Sequence, residues 1–339
     1  MYRLQGKLRY IKDKIKIWNK TVFGNIFKEK ANLEEQLEEI HKGWITGDIN
    51  SETVNKEKML MQQWQLHCQQ EETLWKQNSR IQWIKEGEQN TKFFHRLAMD
   101  YREANKILSL KNEQGTILQT HQEISTLITK HFNCIAQEPE VDRTEAIDEL
   151  IKSIPKIITD EQNLALTREI SLEEVEEAVK EMPNDKAPGP DGFTINFYKA
   201  CRDIVKIEIW EFVEDSRRSA SILKSLKSTF IALIPKEEEA NTPAKFQPIT
   251  LCNVIYRTIS KVIANRMKPI LLSLISEEQS GYVEGRQILD NILLAQEMIH
   301  TLKTRKVAGM MIQLDMSKAY DKVNWSYLEA ILKSFGFAS

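Results

Sequence analysis

Hydrophobic residues recur every three or four positions through the first 45 residues of the chain, with polar residues between them. They form two blocks: Leu4, Leu8, Ile11, Ile15 and Trp18, then Leu33, Leu37, Ile40 and Trp44. Such spacings place side chains on a narrow stripe of a helix, as in a helical hairpin or a coiled coil. Gly43 and Gly47 predict a turn, and a third helix is predicted for residues 53–84.

Beyond residue 105, short runs of strand type alternate with helical stretches. The predicted strands are residues 107–110, 116–118, 230–234, 246–251 and 309–314. A capping box at Ser171 predicts the start of a helix that ends before Pro183. Further long helices are predicted for residues 253–274 and 288–302. Because helices and strands interleave without a regular βαβ alternation, the predicted fold class is α+β.

Composition and charge are those of a globular protein, with 41% hydrophobic and 28% charged residues and a formal net charge of -2. The chain therefore has no overall positive field that would indicate nucleic acid. Residues 1–30, however, carry nine Lys and Arg against Asp13 and Glu29. This basic segment is either a phosphate-binding surface or a solvated helix face, and the solvated face is the more ordinary interpretation.

The four cysteines lie tens of residues apart and lack zinc-binding spacing, which favours reduced thiols in an intracellular protein. No hydrophobic run is long enough to span a membrane, and no signal-peptide pattern is present. By elimination we expect a nuclear or cytoplasmic protein that is not secreted and has no membrane partner.

Six segments carry a more specific signal. They read WKQNSR at 75–80, TKFFH at 91–95, PGPDG at 188–192, LIPK at 233–236, FQPITLCNVIYRTISKVIANR at 246–266, and QSGYVEGR at 279–286 followed by Asp290 and Asn291. In this order they resemble the reverse transcriptases of LINE-type non-LTR retrotransposons, especially those of plants. The resemblance runs from about Glu72 to the end of the chain.

The resemblance implies an RNA-directed DNA polymerase with fingers and palm, which takes Mg²⁺, deoxynucleotides, an RNA template and a DNA primer. We accordingly expect three regions. Residues 1–104 would be a long helical hairpin or linker, and residues 105–160 a small β-hairpin with helices. Residues 161–339 would form the fingers and an incomplete palm.

Asp315 is the candidate catalytic residue and metal ligand. It follows the predicted strand 309–314, and Mg²⁺ takes carboxylate oxygens together with phosphate oxygens. The backbone carbonyl of Met316 would be a second ligand. A helix N-cap is the competing interpretation of Asp315, and the resemblance favours the metal role. It also implies that Tyr320 lies under the sugar of the nucleotide, while Asp321 is expected to be structural.

Lys236 and Gln247 are the other candidate nucleotide-binding residues. The family usually has Lys and then Arg at these positions, and Gln247 stands where the arginine is usual. Glutamine offers neither charge nor the guanidinium fork that suits phosphate. A hydrogen bond to a charged group is worth about 1.5–3 kcal/mol, so nucleotide affinity is expected to be roughly ten- to a hundredfold lower.

Gly281, Arg286 and Arg257 are the candidate template-binding residues. The glycines near Arg286 would let a template approach the backbone closely, although two glycines are also typical of a plain turn. Arg257 belongs to a basic helix face that continues through Lys261 and Lys268. That face is either a track for phosphates or an ordinary solvated surface.

The second metal motif of the family, an aromatic residue followed by x-Asp-Asp, does not occur in the sequence. We therefore expect a fragment truncated before that motif and without polymerase activity as written. Two alternatives are a non-catalytic nucleic-acid-binding remnant and a helical interaction protein that self-associates as a coiled coil through residues 4–44. A third is an incomplete gene model, with the rest of the palm encoded downstream.

Overall fold

A computed structural model describes residues 2–47, 49–79, 91–137, 142–184, 186–306, 308–310, 312 and 323–338 of the chain. The elements before residue 170 are α1 (Tyr2–Trp18) with a π-helical turn (Asn19–Phe23), α2 (Ile26–Ile45), α3 (Ser51–Ser79), α4 (Thr91–Ala104), β1 (Leu110–Lys111), β2 (Ile117–Leu118), α5 (His121–Ala136), α6 (Thr144–Ile151) and α7 (Asp160–Thr167). The remaining elements are α8 (Leu172–Glu181), α9 (Ile195–Ala200), α10 (Arg202–Ser219), α11 (Lys224–Lys227), β3 (Thr229–Pro235), a 3₁₀ turn (Pro243–Lys245), β4 (Phe246–Cys252), α12 (Val254–Leu274), α13 (Ile288–Arg305) and α14 (Trp325–Phe335).

The described chain is mostly helical, with two small antiparallel sheets, which agrees with the α+β class. β1 pairs with β2, and β3 pairs with β4 over seven residues from Thr229↔Cys252 to Pro235↔Phe246. All four strands overlap the strand runs that the sequence predicts, and the first pair forms the predicted small hairpin. Of the predicted strand 309–314, residues 309, 310 and 312 are described and do not belong to a strand, and the other three lie outside the described residues. None of the helices described combines the length and the apolar composition needed to cross a bilayer.

The helix that starts at Ser171 shows how a local signal determines an element. The Ser171 hydroxyl accepts a hydrogen bond from the Glu174 backbone at 3.2 Å, and the Glu174 carboxylate accepts one from the Ser171 backbone at 2.9 Å. This reciprocal pair satisfies two donors at the helix end, and α8 then ends at Glu181, ahead of Pro183. The predicted capping box is confirmed.

The main core lies between α8, α9, α10 and α12, and helix α1 is part of it. Leu4 and Leu8 are 1% and 4% exposed among side chains such as Phe212 and Val254. Two basic residues of α1, Arg3 and Lys7, pair with the buried carboxylate of Glu208 on α10. The first helix of the predicted linker thus packs against the region that begins at residue 161.

The helical hairpin is formed by α2 and α3. Leu33 and Leu37 on α2 pack against Leu60 on α3. Residues 46–47 form the turn, as Gly47 predicts, whereas Gly43 still belongs to α2. The predicted stripe is therefore divided. Leu4, Leu8 and Ile11 pack on the main core, and the second block packs on α3, whereas Ile15 and Trp18 are 45% and 49% exposed. Self-association through residues 4–44 and the three-part division of the chain stay predictions.

A third cluster joins the small β-hairpin to the larger one. Leu110 from β1, Ile124 from α5 and Phe246 from β4 are buried together. The Lys111 backbone also donates a hydrogen bond to the carbonyl of Asn241, at 2.7 Å, in the connection between β3 and β4. Residues 107–136 therefore pack against the tip of the β3–β4 hairpin.

Candidate functional site

The β3–β4 hairpin presents Lys236 and Gln247 on the same face. Gln247 pairs with Ile234 across the hairpin, and the Lys236 backbone donates a 2.9 Å hydrogen bond to Lys245 just beyond the last pair. Side chains two residues apart on a strand share a face, and so do directly opposed residues. Both side chains are exposed, while Leu233 and Phe246 on the other face contribute to the third cluster.

The charge around Lys236 is mixed. Glu237, Glu238 and Glu239 follow it directly, and Glu237 forms an ion pair with Lys245 at 2.5 Å. The Lys236 amine makes no ion pair within the part of the chain that the structure describes. Two lysines and three glutamates at one hairpin tip make it only a weak attractor of anions compared with a purely basic tip.

Arg257 points inward from the first turn of α12. Its Nη2 lies 3.5 Å from the carbonyl oxygen of Ala187, and its Nε is buried. It faces the PGPDG loop, in which the Asp191 backbone N–H donates to the Asn253 side chain at 3.1 Å. The side chain of Arg257 thus contacts the protein's own loop.

The remaining basic residues of α12 are also engaged inside the chain. Lys261 pairs with Glu181 at 2.8 Å, and Lys268 pairs with Glu284 at 3.4 Å. Arg266 donates to both oxygens of Glu174 and to three backbone carbonyls of the α7–α8 connection. The basic residues of α12 therefore form intramolecular ion pairs and hydrogen bonds. The sequence had suggested either a track for phosphates or an ordinary solvated surface.

Arg286 organises the loop between α12 and α13. Its guanidinium donates to the carbonyls of Ser276, Gln279 and Ile275, the last two at 2.8 and 3.0 Å. Gly281 lies in this loop, next to Tyr282, which is 90% exposed. The two candidate template residues are thus brought together in one loop, with the arginine side chain turned towards the loop's own backbone.

The candidate residues Asp315, Met316 and Tyr320 lie outside the described residues. No group of three or more His, Cys, Asp or Glu side chains that could hold a metal ion occurs in the described ranges. The structure therefore adds nothing to the assignment of Asp315 and Met316 as magnesium ligands.

Comparison with known proteins complements this geometry. Residues 234–339 match the sequence model of the family described as reverse transcriptase (RNA-dependent DNA polymerase). We call residues 234–339 the reverse transcriptase segment because of this similarity. Every candidate site residue lies within it, from Lys236 to Tyr320. Reverse transcriptases in general bind RNA templates and nucleotides and use divalent metal ions.

Similarity extends well upstream of the reverse transcriptase segment. An uncharacterized 149 kDa protein of transposon TX1 from Xenopus laevis is 26% identical over 259 residues, which is 76% of this chain and 20% of that protein. A Pol polyprotein of the type-1 retrotransposable element R2 from Bradysia coprophila is 28% identical over 47% of this chain and 18% of its own length. A probable RNA-directed DNA polymerase from transposon BS of Drosophila melanogaster is 22% identical over 62% of this chain and 23% of its own length.

These relatives confirm the resemblance to LINE-type non-LTR retrotransposon reverse transcriptases. The chain spans about a fifth of the length of the curated relatives it matches. Sequence reasoning missed Asn253, directly before α12. Its side chain accepts a hydrogen bond from the Asp191 backbone in the PGPDG loop and donates to the carbonyls of Ser225 and Leu226. The available signal was its position directly before α12, where a short polar side chain commonly bonds nearby backbone.

Proposed function

We propose that the chain is part of an RNA-directed DNA polymerase of a non-LTR retrotransposon, and that its β3–β4 hairpin contacts the triphosphate of the incoming deoxynucleotide. The observation that carries the proposal is the exposed face shared by Lys236 and Gln247, inside the segment that matches the reverse transcriptase family. An exposed amine on a rigid hairpin is suited to a phosphate group.

The two side chains have different roles in this proposal. Lys236 supplies a positive charge to the triphosphate, and Gln247 supplies neutral hydrogen bonds from its amide. The neighbouring glutamates reduce the attraction, so binding through this face is weak. The loop of residues 275–287 contacts the template in this proposal. Arg286 fixes the backbone of the loop near Gly281 by donating hydrogen bonds to the loop carbonyls.

Asp315 and the carbonyl of Met316 would hold the magnesium ion, and Tyr320 would pack under the sugar. When bound, a divalent ion stabilises the charge that develops as the phosphoryl group is transferred. The expectation that the 339-residue chain does not extend a primer stays a prediction. Primer extension on an RNA template with Mg²⁺ and four dNTPs measures the polymerase activity. More nucleotide incorporation by the unmodified chain than by Asp315→Ala would overturn the prediction of inactivity.

Titration of the chain with a fluorescent dNTP in the presence of Mg²⁺ tests the proposed role of the hairpin. Lys236→Ala should weaken binding about tenfold, because it removes one charged hydrogen bond of about 1.5 kcal/mol. Lys152→Ala, at an exposed lysine directly after α6, is the matched control and should leave the affinity unchanged. Equal affinity of both variants would refute the assignment of Lys236.

A second candidate function is binding of single-stranded nucleic acid along α1. Its solvent side carries exposed Tyr2 and Tyr10, with the Lys14 amine 5.3 Å from the centre of the Tyr10 ring. Arg9 and Lys16 of α1 and Lys20 of the following π-helical turn are also exposed. Basic side chains together with exposed rings are the combination that single strands favour.

The salt dependence of RNA binding separates this candidate from the first. Replacing Arg9, Lys16 and Lys20 by alanine should lower the slope of log affinity against log salt by about 2, at roughly 0.7 per phosphate contact. The control replaces Lys152, Lys303 and Arg305, and it should keep the slope. An Asp315→Ala variant should bind RNA normally, whereas an unchanged slope in the first triple variant would eliminate α1 as the binding surface.

A further inference from the structure

Three buried polar atoms surround the PGPDG loop. The Oδ2 of Asp191, the hydroxyl of Tyr198 and the Nε of Arg257 have no hydrogen-bond partner among the residues that the structure describes. Tyr198 is 1% exposed, so bulk solvent does not reach its hydroxyl. Buried polar atoms of native proteins are almost always paired with protein or with ordered water, and three exceptions in one place need an explanation.

The three atoms belong to one locality. Burial raises the pKa of the Tyr198 hydroxyl, and the Asp191 charge raises it further. Burial raises the pKa of the Asp191 carboxyl, and the Arg257 charge acts in the opposite direction. Geometry also brings the three residues together. The backbone N–H groups of Asp191 and Arg257 both donate to Asn253, at 3.1 Å each, and Asp191 lies two residues before Phe193, whose ring centre is 6.3 Å from that of Tyr198.

The hydrogen-bonding capacities of the three groups are complementary. Asp191 Oδ1 already accepts a 3.0 Å bond from the Phe193 backbone, which leaves Oδ2 as an acceptor. Arg257 Nε is a donor only, and the Tyr198 hydroxyl can donate or accept. A water molecule accepts from one such donor and donates to the carboxylate, and buried waters typically make about three hydrogen bonds.

We propose that this is a binding site for one internal water molecule, held by Asp191, Tyr198 and Arg257. The site ties the PGPDG loop to α9 and α12, in addition to the direct bond from the Asp191 backbone to Asn253. Lys12 of α1 reaches the same loop, with its amine 2.7 Å from the carbonyl of Asp191. The water thus completes a junction between α1, α9 and α12, and this proposal is independent of polymerase activity.

A crystal structure that resolves ordered solvent tests the site directly. The expected result is one water peak within hydrogen-bond distance of all three atoms, and its loss in Tyr198→Phe, which preserves the ring. A direct hydrogen bond between Tyr198 and Asp191 without a bridging peak would overturn the proposal. So would an ion, recognised by shorter contacts, or an empty space.

A double-mutant cycle in urea gives a second test. Asp191→Asn and Tyr198→Phe should be coupled by at least about twofold in the unfolding equilibrium constant, because both remove partners of the same water. Tyr10→Phe, at an exposed tyrosine, should show no coupling with Asp191→Asn. If Asp191→Asn does not fold, the crystal structure of Tyr198→Phe decides alone. Additive effects of the first pair would contradict the shared site.

Discussion

Arg266 on α12 grips Glu174 on α8 with two parallel hydrogen bonds, each 2.9 Å, from Nε to one carboxylate oxygen and from Nη2 to the other. The arginine side chain is 10% exposed and also donates to the carbonyls of Leu166, Arg168 and Glu169. This side chain joins the long helix of the reverse transcriptase segment to the connection between α7 and α8.

Arg266→Ala should lower the free energy of unfolding by about 3 kcal/mol, because it leaves a largely buried carboxylate and three carbonyls without their donor. Arg202 offers a matched control, since it makes the same two-pronged contact with Glu176 at 2.8 and 2.7 Å but is 58% exposed. Arg202→Ala should cost less than about 1 kcal/mol. Urea denaturation measures both, and equal losses would show that burial does not matter here.

The lowered pKa values of Glu174 and Glu214 predict that the protein loses stability in acid. Hydrogen bonds from Arg266 hold the pKa of Glu174 at about 2, and those from Arg217 do the same for Glu214, compared with an ordinary value of 4.5. Because the folded pKa is the lower one, their contribution is fully present above pH 4.5 and is lost as the pH falls towards 2. Glu214→Gln should flatten the dependence of stability on pH in that window. An unchanged profile would contradict the assignment.

Gly189 lies against the junction of β4 and α12. A Cβ atom there would be 2.4 Å from the Asn253 nitrogen and 2.6 Å from the Cys252 carbonyl carbon. Gly189→Ala should therefore destabilise the fold by roughly 1–3 kcal/mol through overpacking. Gly6→Ala is the control and should instead stabilise the fold. The position on α1 has open space for a Cβ atom, and alanine favours helix over glycine by about 0.5–1 kcal/mol. Thermal unfolding compares the two, and a stable Gly189→Ala would place the loop elsewhere.

Leu8 tests whether α1 belongs to the main core. Leu8→Ala should cost about 2–5 kcal/mol, as is usual for a buried leucine, and Ile17→Ala on the exposed side should cost much less. Chemical denaturation followed by tryptophan fluorescence gives both values. A small effect of Leu8→Ala would favour an independent N-terminal linker.

Gln247→Arg should restore the charged fork that the resemblance leads us to expect, and raise dNTP affinity roughly ten- to a hundredfold. Gln62→Arg, on an exposed position of α3, adds the same charge away from the hairpin and should have no effect. Equilibrium titration of both variants distinguishes a local contact from a change in net charge. Equal gains would exclude a local contact.

Local signals made part of this structure predictable. The capping box at Ser171, the strand runs of β3 and β4 and the turn at Gly47 depend on residues close in sequence, so their local pattern was enough. Local patterns do not show which other element packs against a hydrophobic helix face. The stripe through Leu4 and Leu8 identifies a buried side but not the helix that covers it, and the core of α10 and α12 lies about 200 residues away.

The same distinction applies to the candidate site. Family motifs located Lys236, Gln247 and Arg286, and strand patterns located β3 and β4 but did not establish that the two pair. The inward direction of Arg257 could not be predicted, because it depends on the position of the PGPDG loop. Counting basic residues on α12 likewise could not reveal that Glu174 and Glu181, spaced seven residues apart on α8, neutralise two of them.

The cluster of Leu110, Ile124 and Phe246 has a mechanical consequence. Because β1 and α5 grip the far end of the β3–β4 hairpin, that hairpin cannot bend as a free flap. If Lys236 moved towards a bound ligand, α5 would have to move with it. The packing of α5 would therefore limit how far the end of the hairpin can move.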